Sequence, residues 1–245
     1  MDIGIIVFPG SNCDADTYHV VRDVLGHRAQ YVWHEERTLD GLDAVILPGG
    51  FAHGDYLRAG AIAATSPVVR ALRAYAAGGG VTLGICNGFQ VLLEAGLLPG
   101  AMRPNAGGEF RCEWVHIRVE RTDTPFTCAL APGQVLRLPI AHAEGNYYAD
   151  PPTHRSLLAG RQIAFRYCDA SGATGPGANP NGSHDAIAGV ASRTGAVVGL
   201  MPHPERASEG LLGGEDGRRI FDSLDRWVAA RPPAAPAARA PLEVR

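Results

Sequence analysis

Residues 81–95 read VTLGICNGFQVLLEA, and the fold is decided there. Val81 to Ile85 is an unbroken, mostly apolar run of strand length, while Phe89 to Ala95 has the spacing of a helix. Cys86 stands at the change of pattern, with Gly84 and Gly88 two residues to either side. A side chain on a tight strand-to-helix turn is lifted clear of the backbone, and flanking glycines leave room for the turn and for a substrate. This is the layout of a nucleophile elbow with a thiol at its tip.

Outward from the elbow, apolar runs alternate with helical patterns through the first hundred residues. Asp2 to Phe8, Ala29 to Trp33, Ala44 to Leu47 and Val81 to Ile85 read as strands. Thr17 to Leu25, Val68 to Ala77 and Phe89 to Leu93 read as helices. Strands that are continuously apolar, such as IGIIVF and AVILP, belong in a parallel sheet covered on both faces. Ligands of such sheets bind beyond the carboxyl ends of the strands. Three loops fall at those ends: 9–14, 48–56 and the elbow itself.

After residue 109 the pattern changes to alternation. Phe110, Cys112, Trp114 and His116 are set against Arg111, Glu113, Val115 and Ile117, and runs at 135–140 and 162–167 follow. This half reads as antiparallel. Ala186 to Val190 and Ala196 to Leu200 form a hairpin across Ser192 to Gly195. The second run leads into Met201, Pro202, His203, Pro204 and Glu205. An amphipathic helix is expected over about 217–229. Residues 1–230 are thus expected to form one domain, and the Pro/Ala-rich stretch 231–245 a disordered tail. Gly-rich residues 171–183 read as a loop, not a phosphate cradle, and no nucleotide-binding glycine signature is present.

Composition excludes several classes. A formal net charge of −3 over 245 residues gives no basic footprint for nucleic acid or an anionic membrane. No apolar run reaches membrane-spanning length, and MDIGIIVFPG has no basic leader, so a cytoplasmic location is expected. Five cysteines without CxxC spacing argue against a disulfide framework and against a zinc site, so no metal is expected. Cys112, Cys128 and Cys168 are expected to be small buried hydrophobes.

An ordinary thiol is only a few per cent ionised near neutrality, so a nucleophilic Cys86 needs help. Its place at a helix N-terminus supplies partial positive charge. Of nine histidines, His203 is the best base, because it also ends an apolar strand and Glu205 follows two residues on. In an extended segment those two side chains share a face, so the carboxylate can orient the imidazole as the third member of a triad. His53 and His142 also lie near candidate site loops. An acyl-transfer site further needs oxyanion donors. Backbone N–H groups of Gly50, in LPGGF, and of Asn87 are a natural pair, although Gly49 and Gly50 could equally form only a turn.

The segments GICNGFQ (84–90), LPGGF (47–51) and the HPE at 203–205 resemble the class I, or triad, glutamine amidotransferases. VFPGSNCDADT (7–17), PGGFAHGDYLRAGAIA (48–63), IAHAEGNYYAD (140–150), NPNGS (179–183) and GLMPHPER (199–206) narrow the resemblance to the glutaminase subunits of phosphoribosylformylglycinamidine synthases. It covers about residues 1–229. It implies a flavodoxin-like α/β fold with a mostly parallel central sheet, flanking helices and an additional antiparallel portion. It also implies Cys86, His203 and Glu205 as catalytic residues, Gly50 and Asn87 as oxyanion donors, and Gln90 either in the glutamine pocket or as a support for the elbow loop. The implied reaction releases ammonia from glutamine for conversion of formylglycinamide ribonucleotide to its amidine in purine biosynthesis. A large synthetase subunit and a small accessory one are the implied partners, with ATP and Mg²⁺ used by the synthetase and no cofactor in this chain. Residues 53–58 are a candidate for substrate or partner contact. A cysteine peptidase or other hydrolase on the same fold and a non-catalytic regulatory module are the rival readings.

Overall fold

The structure, a computed structural model, describes residues 1–230. The tail expected over 231–245 lies outside the described residues. In chain order the strands are β1 (Asp2–Val7), β2 (Arg28–Trp33), β3 (Ala44–Leu47), β4 (Val81–Ile85), β5 (Ala101–Arg103), β6 (Arg111–Val119), β7 (Val135–His142), β8 (Asn146–Tyr148), β9 (Ile163–Cys168), β10 (Ile187–Ala191) and β11 (Val197–Leu200). The α-helices are α1 (Asp14–His19), α2 (Pro67–Ala77), α3 (Asn87–Glu94), α4 (Pro151–Ala159) and α5 (Arg218–Ala229).

Nine strands form one sheet in the order β2-β1-β3-β4-β11-β10-β9-β6-β7, and β5 pairs with β8 apart from it. From β2 to β11 every neighbouring pair is parallel; from β11 to β7 every pair is antiparallel. The mixed, mostly parallel α/β fold expected from the sequence is the one found. β1, β3 and β4 are apolar because they lie inside the sheet, and Ile3, Ile5, Ile6, Ile46 and Leu47 are fully buried. Each such side chain contributes about 1.5–3 kcal/mol by leaving water. Helix α3 packs on β3, β4 and β11, so the elbow helix is seated on the middle of the sheet.

Three local expectations are corrected. The first helix begins earlier than Thr17, at Asp14, where Asp14 and Asp16 sit favourably in a first turn, and it continues through a π-helical turn (Val20–Val24). On β6 the buried residues are Val115, Ile117 and Val119, whereas Phe110 and Cys112 are exposed. The cause is pairing: β9 covers β6 only from His116 to Val119, so the preceding half of β6 is flanked by β7 alone. Cys112 is therefore not a core residue. Cys128 is only partly buried, while Cys168 is buried as expected.

Candidate active site

Two neighbouring strands bring the chemistry together. Leu200 of β11 lies beside Ile85 of β4 in parallel register, and Cys86 N–H continues the ladder by donating to Leu200 O at 2.8 Å. Cys86 then adopts φ 48°, ψ −106°, a sparsely populated conformation for any residue with a β-carbon, and α3 starts at the next position. The turn is held by close packing. A β-carbon on Gly88 would fall on the Leu47 carbonyl of β3, so only glycine lets α3 sit this near the sheet.

His203 follows β11 by three residues, and its N–H donates to Pro139 O of β7 at 2.8 Å. Its side chain is 2% exposed and that of Glu205 is shut off from solvent. Nδ1–H donates to Glu205 Oε1 at 2.6 Å, since a carboxylate can only accept. The sequence reading placed these residues on one face of an extended segment. His203 is extended at φ −101°, ψ 92°, but Glu205 lies in a 3₁₀ turn (Pro204–Ala207), and the turn closes the contact. Burial opposes the imidazolium, yet the Glu205 carboxylate and the nearby Cys86 and Cys13 thiols hold the His203 pKa well above its ordinary value.

Gly49 separates these groups. A β-carbon there would lie 2.6 Å from His203 Cε1, 3.1 Å from Cys13 Sγ and 3.4 Å from Cys86 Cβ. Its neighbour Gly50 has φ 139°, a conformation open to glycine. Gly50 and Cys86 line the same cleft with Phe51, Asp55, Gln90, Ala141, His142, Ala143 and Glu144. The N–H groups of Gly50 and Asn87 make no hydrogen bond among the described residues. They remain available to a ligand.

Gln90 is built into the wall. Its Nε2 donates to Glu144 O at 2.6 Å, and its Oε1 accepts from Asn87 Nδ2 at 2.9 Å. Asn87 Nδ2 also donates to Asp55 Oδ1 at 3.1 Å, and Asn87 Oδ1 accepts from Ala52 N–H at 3.0 Å. The opposite wall is the end of β7, where Ala141 O lies 3.8 Å from Cys86 Sγ. Asn105 and Asn181 fix the chain beyond it. Asn105 donates to His142 O and accepts from Gly145 N–H, while Asn181 donates to Gly145 O. The NPNGS stretch thus supports the wall.

The cleft gathers Asp55 of the 53–58 loop and His142, both placed near the site by the sequence reading, with Glu144, which that reading did not single out. Burial and the facing Glu144 charge push the Asp55 carboxyl up to about 6. Burial, reinforced by neighbouring His203, pushes His142 down to about 4, so its imidazole is neutral at physiological pH. Glu144 was visible only as a residue of a quoted motif, because the end of β7 and the 51–58 loop meet through the fold. The cleft is small, about 60 Å³. A larger cavity of about 610 Å³ lies on another side of Glu205 and Arg206, lined by Trp114, Leu211 and Leu212, and does not include Cys86.

The family model for the CobB/CobQ-like glutamine amidotransferase domain matches residues 1–227. The chain belongs to that family. As a member of the CobB/CobQ-like amidotransferases, it is 56% identical over 231 residues to the phosphoribosylformylglycinamidine synthase subunit PurQ of Symbiobacterium thermophilum, covering 94% of this chain and 98% of that one. It is also 56% identical to the subunit of that name from Moorella thermoacetica, over 93% of this chain and 96% of that one. Among solved structures, it matches a chain of PurLQS from Thermotoga maritima with TM-score 0.82 and 42% identity, covering 93% and 98% of the two chains. The glutaminase domain of Trypanosoma brucei CTPS, solved with acivicin, matches with TM-score 0.56 over 92% and 94%. At 13% identity that likeness shows the fold alone.

Among the described residues, no helix is long and apolar enough to cross a membrane.

Proposed function

We propose that this chain is the glutaminase subunit of a phosphoribosylformylglycinamidine synthase, with Cys86 as nucleophile, His203 as proton carrier and Glu205 as its orienting carboxylate. The observation that carries the catalytic reading is the buried imidazole, braced by Glu205 at 2.6 Å and set beside a thiol on a strained elbow. The acceptor rests on the close likeness to PurQ subunits over almost the whole chain.

The chemistry follows from the geometry. Cys86 thiolate, favoured by the N-terminus of α3 and an adjacent imidazolium, adds to the side-chain amide carbon of glutamine. Negative charge then gathers on the amide oxygen, within reach of the Gly50 and Asn87 N–H groups. One such donor is typically worth roughly 10²–10³ in rate. His203 Nε2 gives its proton to the departing nitrogen, the C–N bond breaks, and ammonia leaves behind a glutamyl thioester. Water then adds to the thioester while His203 takes its proton, and expulsion of the thiolate releases glutamate. Gln90, its amide engaged by Glu144 O and Asn87 Nδ2, shapes the wall of the glutamine pocket.

Ammonia released into water would be largely protonated and no longer nucleophilic. It therefore passes to a large synthetase subunit, where ATP and Mg²⁺ activate the formamide oxygen of formylglycinamide ribonucleotide for replacement by nitrogen. A small accessory subunit completes the complex, and the reaction takes place in the cytoplasm. Residues 1–230 act as one domain.

Glutamate release measured with and without the synthetase and its nucleotide tests this reading. Cys86→Ala is expected to lower glutamine hydrolysis by roughly 10⁴–10⁶-fold while ammonium still supports the synthetase reaction. Hydrolysis that survived in Cys86→Ala would remove the site assignment, and hydrolysis that never appeared even in the complex would remove the function.

A further inference from the structure

The cleft beside Cys86 carries negative charge that the chain does not balance. Asp55 and Glu144 both line it, whereas the histidine there, His142, is pushed down to about 4 by burial and by neighbouring His203, and so is neutral. Asp55 Oδ1 accepts from Asn87 Nδ2 at 3.1 Å, and Glu144 is held through its main chain, where its O accepts from Gln90 Nε2 at 2.6 Å. Both residues are thus held from one turn of α3. Among the described residues neither carboxylate forms an ion pair, and that of Glu144 accepts no hydrogen bond.

His142 gives an independent sign of a ligand with N–H groups. It is 3% exposed, and its Nδ1 lies 3.0 Å from Asn105 Oδ1. Asn105 Nδ2 donates to the main-chain oxygens of His142 and Glu109, so Asn105 Oδ1 is the acceptor and His142 Nδ1 carries the proton. His142 Nε2 is then a lone pair, shut off from solvent and without a partner. A buried acceptor in that state costs free energy until something donates to it.

We propose that Asp55 and Glu144 hold the α-ammonium group of free glutamine, and that His142 Nε2 accepts a further N–H from the same ligand. On the glutaminase reading, which this assignment deepens, the carboxamide carbon lies at Cys86 Sγ and the α-nitrogen four bonds beyond it. An ammonium brings one positive charge and three N–H donors to side chains that offer acceptors. It also relieves the repulsion between like charges that joins burial in raising Asp55 to about 6. Glutamine inside a peptide has an amide nitrogen at that place, uncharged and with a single N–H. It leaves both carboxylates uncompensated, so the wall selects the free amino acid.

Affinity measured without turnover tests the site. The assembled synthase carrying Cys86→Ala is titrated calorimetrically with L-glutamine and with glutaramate, the same molecule without its amino group. Glutamine is expected to bind about 10–100-fold more tightly, the scale of hydrogen bonds to a charged group. Glu144→Gln, added to that chain, should weaken glutamine by about 10–100-fold and glutaramate by less than about threefold. Asp55→Asn should give the same contrast at about tenfold, and it decides alone if the Glu144 variant folds poorly. Equal affinities for the two ligands, or a loss in these variants that both ligands share, would overturn the assignment and leave the carboxylates a structural role. Hydrolysis by the wild-type complex is the separate readout. The binding contrast without glutamine hydrolysis would remove the functional reading and leave the ammonium site standing, whereas hydrolysis without the contrast would remove the ammonium site alone.

Discussion

The two halves of the central sheet contribute to the cleft in different ways. In the parallel half, β4 delivers Cys86, β11 delivers His203 and Glu205, and β3 delivers Gly49 and Gly50, each just past a strand end. In the antiparallel half, β7 supplies Pro139 O, which receives His203 N–H, and Ala141 O, which lies near Cys86. The reacting groups thus come from parallel strands whose ends converge by topology. The wall that encloses them comes from the far edge of the same sheet. The difference separates making a nucleophile from enclosing its substrate, and variants in each half should separate kcat from KM.

The largest effect within this comparison is expected from Glu205→Gln. Loss of the carboxylate leaves the imidazolium to the full penalty of burial, so the His203 pKa falls. Glutaminase kcat should drop by roughly 10²–10⁴, and the alkaline limb of its pH profile should move to lower pH. An unchanged profile would mean that Glu205 does not act through His203.

Ile117→Ala strikes the other half. Ile117 is fully buried on β6, which carries β7 along the full register from Arg111 to Arg118. Such truncations cost about 2–5 kcal/mol, and each kcal/mol lowers Tm by roughly 2–4 °C at this chain length. Calorimetry should show that loss, with KM for glutamine rising more than kcat falls. Gly49→Ala tests the convergence directly. The added methyl meets the His203 ring at 2.6 Å, and displacement of a reacting group by about 1 Å can cost about 10²-fold, so kcat should fall with Tm little changed.

The smallest expected effect lies where the two halves face each other. Because Asp55 is pushed up to about 6, its contribution to stability is fully present below its ordinary pKa near 4. That contribution is lost as the pH rises through about 6. Asp55→Asn keeps the acceptor for Asn87 and removes the charge facing Glu144. Its Tm should therefore exceed that of wild type above pH 6, by less than the Ile117→Ala loss since Asp55 is only partly buried, and the gap should close below pH 4. A constant gap across that range would mean the carboxyl is not strained.

The elbow was the most legible part of the molecule because every feature that makes it is local: an apolar run, a thiol, two glycines and a helical repeat within residues 81–95. The hairpin of β10 and β11 was legible for the same reason. The inward phase of β6 was not, since alternation gives a period but not which face a distant strand will cover. Trp114 illustrates the limit. It reads as core, yet it is only half-buried, with the Arg137 guanidinium 4.2 Å over its ring.

By itself, the sequence determined the strand-to-helix turn at Cys86, the pairing of His203 with Glu205, and the parallel character of the first strands, because these follow from short-range pattern. Tertiary structure alone decided which residues enclose the thiol and which buried groups share its space. Asp55, Glu144 and His142 enter the cleft, and Cys13 enters the triad, through contacts between segments far apart in the chain. Their burial and charge exist only once those segments have packed together.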